Sequence, residues 1–276
     1  MDSVGALNPV KPRTNLNRSR DRKGALAIIF LLLALPVLAQ PPAGRGGRGR
    51  GGPPPTPKAG AAIDLTGYWV SVVTEDWRYR MVTPPKGKFG GVPLNAEGRR
   101  VVNQWDPAKD QAAGLQCKSY GAAALMRVPG RLHIAWENDN TLRIDTDAGI
   151  QTRLFHFGGE PPPSVDPSWQ GYSVAQWEYA GSGRGPKRTG DLKVTTTHML
   201  AGYLRKNGVP YSAQAVLTEY YDRIAAPNGD TWLVFTTSVN DPKYLTMPFV
   251  TSTHFKKLPD GPPPGPGWDP QPCSAQ

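Results

Sequence analysis

The chain has 276 residues, of which 38% are hydrophobic and 20% charged, with 31 Gly and 30 Pro; so many turn formers exclude an all-helical fold and a polytopic membrane protein. The net charge of +10 is concentrated near the N-terminus. Residues 1–39 hold six Lys/Arg against two acids and 40–62 hold four against none, which leaves 22 basic and 20 acidic side chains in 63–276 and excludes a general electrostatic grip on nucleic-acid backbones there.

The first 39 residues read as a secretory signal. Arg18, Arg20, Arg22 and Lys23 form a positive start, Ala25 to Ala39 an apolar run, and Val37-Leu38-Ala39 a cleavage-like end before Gln40. At 15 residues the run is shorter than the roughly 20 of a membrane span; a retained signal anchor is the alternative. Residues 40–62, with 13 Gly or Pro in 23 and almost nothing to bury, predict a disordered linker. Its Arg45, Arg48 and Arg50 lie among glycines without the aromatic residues that would stack on bases. No nucleic-acid partner is expected, only a loose contact with an anionic envelope surface.

From Asp64 the pattern is short β runs: Gly67 to Thr74, Trp77 to Val82, Leu125 to Val128, Leu132 to Trp136, Thr141 to Thr146 and Ile150 to Phe157. Pro129-Gly130, Asn138-Asp139-Asn140 and Asp147-Ala148-Gly149 separate the later ones with turn residues. A second block runs through Tyr172 to Tyr179, Leu192 to Leu200, Val216 to Ile224, Thr231 to Val239 and Val250 to Lys257, with Asn228-Gly229 as a hairpin turn. Asn95 to Trp105 reads as the one helix, and Gly202 to Tyr211 as a long polar and aromatic loop of the kind that carries sites at a barrel mouth. In Thr231 to Thr236 both strand faces are partly apolar, as expected where a barrel encloses a ligand cavity or is partly covered outside. Cys117 and Cys273 are the only cysteines, an even count that in an oxidising compartment predicts a disulfide pinning the Pro-rich tail, 261–276, to the domain. Two unrelated thiols are the alternative.

Several stretches carry a resemblance. Asp64-Leu65-Thr66-Gly67-Tyr68-Trp69, Trp169-Gln170-Gly171-Tyr172-Ser173, Gln176-Trp177-Glu178, Gly190-Asp191-Leu192, Thr218-Glu219-Tyr220-Tyr221-Asp222-Arg223 and Asn240-Asp241-Pro242-Lys243-Tyr244 together resemble a group of uncharacterised secreted bacterial proteins, frequent in acidobacteria and proteobacteria. The likeness spans roughly 64 to 257, with Tyr179 to Thr189 inserted relative to the group, and implies kinship and export but no activity. Gly67-Tyr68-Trp69 on the first strand also resembles the start of lipocalin-like barrels, without a later T-D-Y motif. That likeness implies a barrel with one open end and a cavity for an apolar or amphipathic molecule. The expected fold is therefore all-β and mainly antiparallel, a single lipocalin-like or related β-barrel or curled sandwich over 63–260, with one short helix.

Candidate chemistry is sparse. His133, His156, His198 and His254 all fall in expected strands without HxH or HExxH spacing, so no metal or cofactor is expected. Glu178 and His198 are the candidate acid-base residues, and Glu178 is a candidate ion-pair partner of Arg223 inside a cavity. Glu219 and Arg223 share a strand face about 13 Å apart, each needing a partner elsewhere if it points inward. Trp69, Trp136, Trp177, Glu178, Tyr203, Tyr211 and Arg223 are the candidate ligand-binding residues, since aromatic side chains line clefts for apolar and aromatic ligands. Nucleophile elbow, P-loop and dinucleotide motifs are absent; Gly181 to Gly185 lacks a following helix. The reading is a monomeric periplasmic or secreted barrel that binds a small hydrophobic or aromatic ligand. The alternatives are a hydrolase or isomerase, and a structural or protein-interaction module of the envelope.

Overall fold

A computed structural model of the chain describes residues 53–181, 189–261, 263 and 265–276. The expected signal, most of the expected linker and part of the insertion before Thr189 lie outside these residues. In chain order come β1 (Gly67–Val72), α1 (Trp77–Arg80), α2 (Ala96–Val102), α3 (Pro107–Ala112), a 3-10 turn (Gln116–Tyr120) and α4 (Ala122–Leu125). The strands β2 (Arg131–Asn138), β3 (Thr141–Thr146), β4 (Ala148–Gly149), β5 (Gln151–Phe157), β6 (Tyr172–Tyr179) and β7 (Gly190–Thr197) follow. A short pair, β8 (Gly202–Arg205) and β9 (Val209–Tyr211), precedes β10 (Val216–Ala225), β11 (Thr231–Asn240), β12 (Phe249–Lys257) and β13 (Gln271–Pro272).

Nine strands close into a barrel in the order β1-β12-β11-β10-β7-β6-β5-β3-β2. Strand directions that alternate all the way round need an even number, so a nine-stranded ring contains a parallel neighbour pair. That pair is β5 with β6, Phe155 opposite Ser173. A parallel pair requires a crossover of a dozen or more residues, which 158–171 supplies. Every other neighbouring pair in the ring is antiparallel.

The two-residue period of the strands decides what fills the lumen. On β11, Leu233, Phe235, Thr237 and Val239 are buried, while Trp232, Val234, Thr236 and Ser238 are half-buried on the outside. The inward residues meet edge to face: Phe155, Tyr221, Phe235 and Phe255 follow one another with ring centroids 5.4, 4.6 and 5.1 Å apart, each such pair contributing about 0.5–1.5 kcal/mol beyond area burial. Trp69, Ile134, Ile144, Leu192 and Val194 complete this core.

The two ends are closed differently. At one, residues 53–62, the part of the expected linker that the structure describes, lie against the rim: Trp177 Nε1 donates to Pro57 O (2.8 Å), Tyr179 Oη to Gly60 O (2.8 Å) and Lys58 N to Asp139 O (3.2 Å). At the other end α2, α4 and the β8–β9 pair form a cap over a second apolar cluster that includes Leu94, Val102, Met199, Leu204, Val209, Leu217 and Phe249.

Three local expectations are corrected. Trp77 to Val82, expected as a strand, forms the single helical turn α1, and Leu125 to Val128 ends α4 rather than forming a strand. Gly202 to Tyr211 is the β8–β9 hairpin in place of a loop, with Gly208 in a left-handed conformation (φ 80°) at its turn. The expected helix is present as α2, capped by the Asn95 side chain accepting from Gly98 N. Cys117 and Cys273 form the disulfide, and β13 beside it pairs in parallel with β4, which fixes the tail.

Candidate functional site

The structure disperses the residues singled out in the sequence. Trp69 is fully buried in the barrel core, its indole N–H donating to Leu65 O (3.0 Å). Trp136 and Trp177 do come together, flanking Phe157 with centroids 5.4 and 5.5 Å away, beneath the segment around Pro57. Tyr203 and Tyr211 belong to the opposite end. Tyr203 Oη donates to Asp110 Oδ2 (2.7 Å), and burial, with that carboxylate, pushes its hydroxyl above the ordinary range. Tyr211 is buried with a hydroxyl that meets no partner among the described residues.

The expected Glu178–Arg223 pair does not form inside the barrel. Glu178 pairs with Lys193 (3.3 Å) on the outer wall, and Arg223 is exposed near the end of β10. The inward charged pair is Arg153 with Glu219, N···O 2.6 Å, both side chains 0% exposed. Arg153 also contacts Thr196 Oγ1 (3.2 Å), Ser173 Oγ and Tyr221 Oη (3.5 Å each). Burial works against its charge, but Glu219 and Tyr221 more than offset this and hold the guanidinium above its ordinary range. His198 is exposed in a left-handed conformation (φ 57°) with Thr197 as its partner; no cluster of His, Cys, Asp and Glu suited to a metal occurs among the described residues.

A different constellation lies at the capped end. Arg80 from α1, Arg127 just after α4 and Arg205 at the end of β8 line one small chamber together with Tyr79, Ser119, Ala124, Val128, Pro129, Leu204 and Lys206. The free space is about 30 Å³, room for a couple of water molecules or a compact headgroup, far below the ~300–1,000 Å³ that holds a whole drug-sized ligand. The three arginine side chains are 1%, 7% and 2% exposed. Arg80 donates to Arg127 O through Nε (2.9 Å) and pairs with Glu75 through Nη1. Arg127 Nη2 meets Asp76 Oδ2 at 2.8 Å, and Arg205 donates from Nη1 to Gly90 O (2.8 Å) and has Nη2 3.8 Å from the same Asp76 oxygen.

Comparison with known protein families, with curated proteins and with solved structures finds no match.

The chamber is therefore read from its chemistry. Three guanidinium groups meet two carboxylates, and one of these, Glu75, is also engaged by His254 Nδ1 (3.1 Å). Arg80 Nη2, Arg127 Nη1 and Arg205 Nε are buried and meet no acceptor among the described residues. Burial, with Arg127 as a like-charged neighbour, pushes the guanidinium groups of Arg80 and Arg205 down from their ordinary value. Buried cationic N–H groups left without acceptors cost free energy that an anion would recover, through charge-assisted hydrogen bonds that guanidinium geometry suits well. Asp76, which orients two of the three, itself sits in a left-handed conformation (φ 49°), a backbone strain of the kind that collects at ligand sites. The Tyr79 ring lies 4.1 Å from Arg205 Cζ and braces that guanidinium from one face. Sequence reasoning passed over Arg80 and Arg127 because each lies in a short run read as a strand; Arg205 falls within the segment expected at a barrel mouth.

Proposed function

We propose that this chain is an exported β-barrel binding protein whose capped end receives the anionic headgroup of a small molecule. The observation that carries this reading is the convergence of Arg80, Arg127 and Arg205 on one chamber, each with a buried N–H facing no acceptor among the described residues. The signal-like leader, the resemblance to secreted proteins and the Cys117–Cys273 bridge support export. The filled lumen favours the end of the barrel over its interior as the binding place. The headgroup is a carboxylate or a tetrahedral oxyanion, because the donors are guanidinium N–H groups and the space is small.

Isothermal titration of the purified chain with inorganic phosphate and with acetate, at constant ionic strength, tests this. Saturable one-to-one binding of at least one of them is expected, weakened at least tenfold in Arg205→Lys, which keeps the charge and loses the planar fork. Absence of binding by both anions, or equal affinity in the variant, contradicts it.

A further inference from the structure

The free donors of the arginine chamber come singly. Arg80 gives Nε to Arg127 O (2.9 Å) and Nη1 to Glu75, which leaves Nη2 without an acceptor among the described residues. Arg127 gives Nη2 to Asp76 Oδ2 (2.8 Å) and in the same sense keeps Nη1. Arg205 gives Nη1 to Gly90 O (2.8 Å), has Nη2 3.8 Å from the same Asp76 oxygen and keeps Nε. A guanidinium grips a carboxylate as a fork, through two neighbouring nitrogens on one edge. Here the edge neighbour of each free nitrogen is already bonded to a protein oxygen or, in Arg205, paired at longer range with Asp76, so none of the three presents an unengaged fork. The chamber offers instead one nitrogen from each of three side chains, carried by α1, by the residues just after α4 and by the end of β8. Three guanidinium groups against two carboxylates leave it cationic, and about 30 Å³ of free space admits a compact head with one bond leading out.

We infer that the group held is a tetrahedral oxyanion with three oxygens free, the phosphoryl group of a phosphate monoester or inorganic phosphate itself, with one oxygen for each of Arg80 Nη2, Arg127 Nη1 and Arg205 Nε. This rests on the anion-binding reading and deepens it by setting aside carboxylates and phosphodiesters. Each of those has two charged oxygens to share among three donors on three side chains, and a diester also needs room for a second substituent. With two oxygens the third guanidinium nitrogen stays buried without an acceptor. A charge-assisted hydrogen bond forgone in such a place weakens binding by about tenfold or more.

The experiment is isothermal titration of the full chain at pH 8 and constant ionic strength with methyl phosphate, inorganic phosphate, dimethyl phosphate, methanesulfonate and acetate. Methyl phosphate is expected to bind one to one and at least tenfold more tightly than either dimethyl phosphate or acetate. Because methyl phosphate also carries more charge, methanesulfonate isolates shape: it has three free oxygens and the same single charge as dimethyl phosphate, and is expected to bind more tightly than that diester. Inorganic phosphate separates the two sources of the phosphoryl group, since affinity above that of methyl phosphate assigns the chamber to the free ion and lower affinity assigns it to an ester. Acetate or dimethyl phosphate binding within tenfold of methyl phosphate, or methanesulfonate binding no tighter than dimethyl phosphate, would overturn the inference. Acetate binding as tightly as methyl phosphate leaves the anion site standing and removes only the three-oxygen assignment; failure of all five probes removes both.

Discussion

At the scale of single residues, carboxylates show how position decides charge. Asp222 on the outer wall of β10 is partly buried beside Asp191, and burial together with that neighbour raises its carboxyl from 3.8 to about 6. A carboxyl that holds its proton more tightly in the folded protein stabilises the fold at low pH; the stabilisation falls as pH rises from about 4 to about 6 and is absent above that. Asp222→Asn is accordingly expected to raise Tm by about 2 °C at pH 7.5 and to leave it unchanged at pH 4. Thermal melts at the two pH values check this, and an equal shift at both would contradict it. Asp191 and Asp222 were both visible in the sequence, but their closeness was not, since it arises only when β7 and β10 become neighbours.

At the scale of elements, the alternation of buried and exposed positions made the long strands legible: Leu132 to Trp136, Thr141 to Thr146, Thr231 to Val239 and Val250 to Lys257 all lie within observed strands. What failed was the short pieces. Trp77-Arg78-Tyr79-Arg80 alternates aromatic and charged residues and reads as a strand, yet one helical turn is too short for propensity to govern and is set by what it packs against, here Arg127 and Glu75. The same error hid the candidate site, because Arg80, Arg127 and Arg205 have no local spacing and meet only through the cap. The disulfide was legible from parity of count alone. It closes a separation of 156 residues and fastens β13 onto β4, and the chain-entropy account allows up to roughly 5 kcal/mol for such a loop. Cys273→Ser is expected to lower stability by about 2–5 kcal/mol in urea unfolding and to open 261–276 to proteolysis; an unchanged midpoint would contradict the account.

At the scale of the whole molecule, the barrel combines a filled lumen with an unfilled cap. The parallel β5–β6 contact was not readable locally, since it follows from closing an odd number of strands. Nor was the partner of Glu219: the sequence placed Arg223 on the same strand face about 13 Å away, too far to pair, and pointed to no other cation, whereas the barrel delivers Arg153 from β5. With both side chains sealed from water, removing one strands the other. Glu219→Leu is expected to cost about 3–5 kcal/mol, and adding Arg153→Leu to recover most of that loss, measured by urea unfolding of the single and double variants. Additive losses would contradict a pair whose main role is mutual compensation.

Arg153 in the lumen also keeps a buried Nε–H without an acceptor among the described residues; what sets the cap apart is three guanidinium groups against two carboxylates, where the lumen has one against one, and on that excess of positive charge the functional reading depends. The most direct measurement is a crystal structure grown with selenate, located by its anomalous scattering. The account predicts a selenium peak within hydrogen-bond reach of Arg80 Nη2, Arg127 Nη1 and Arg205 Nε. A chamber without that peak, with selenate only at exposed lysines and arginines, would contradict it.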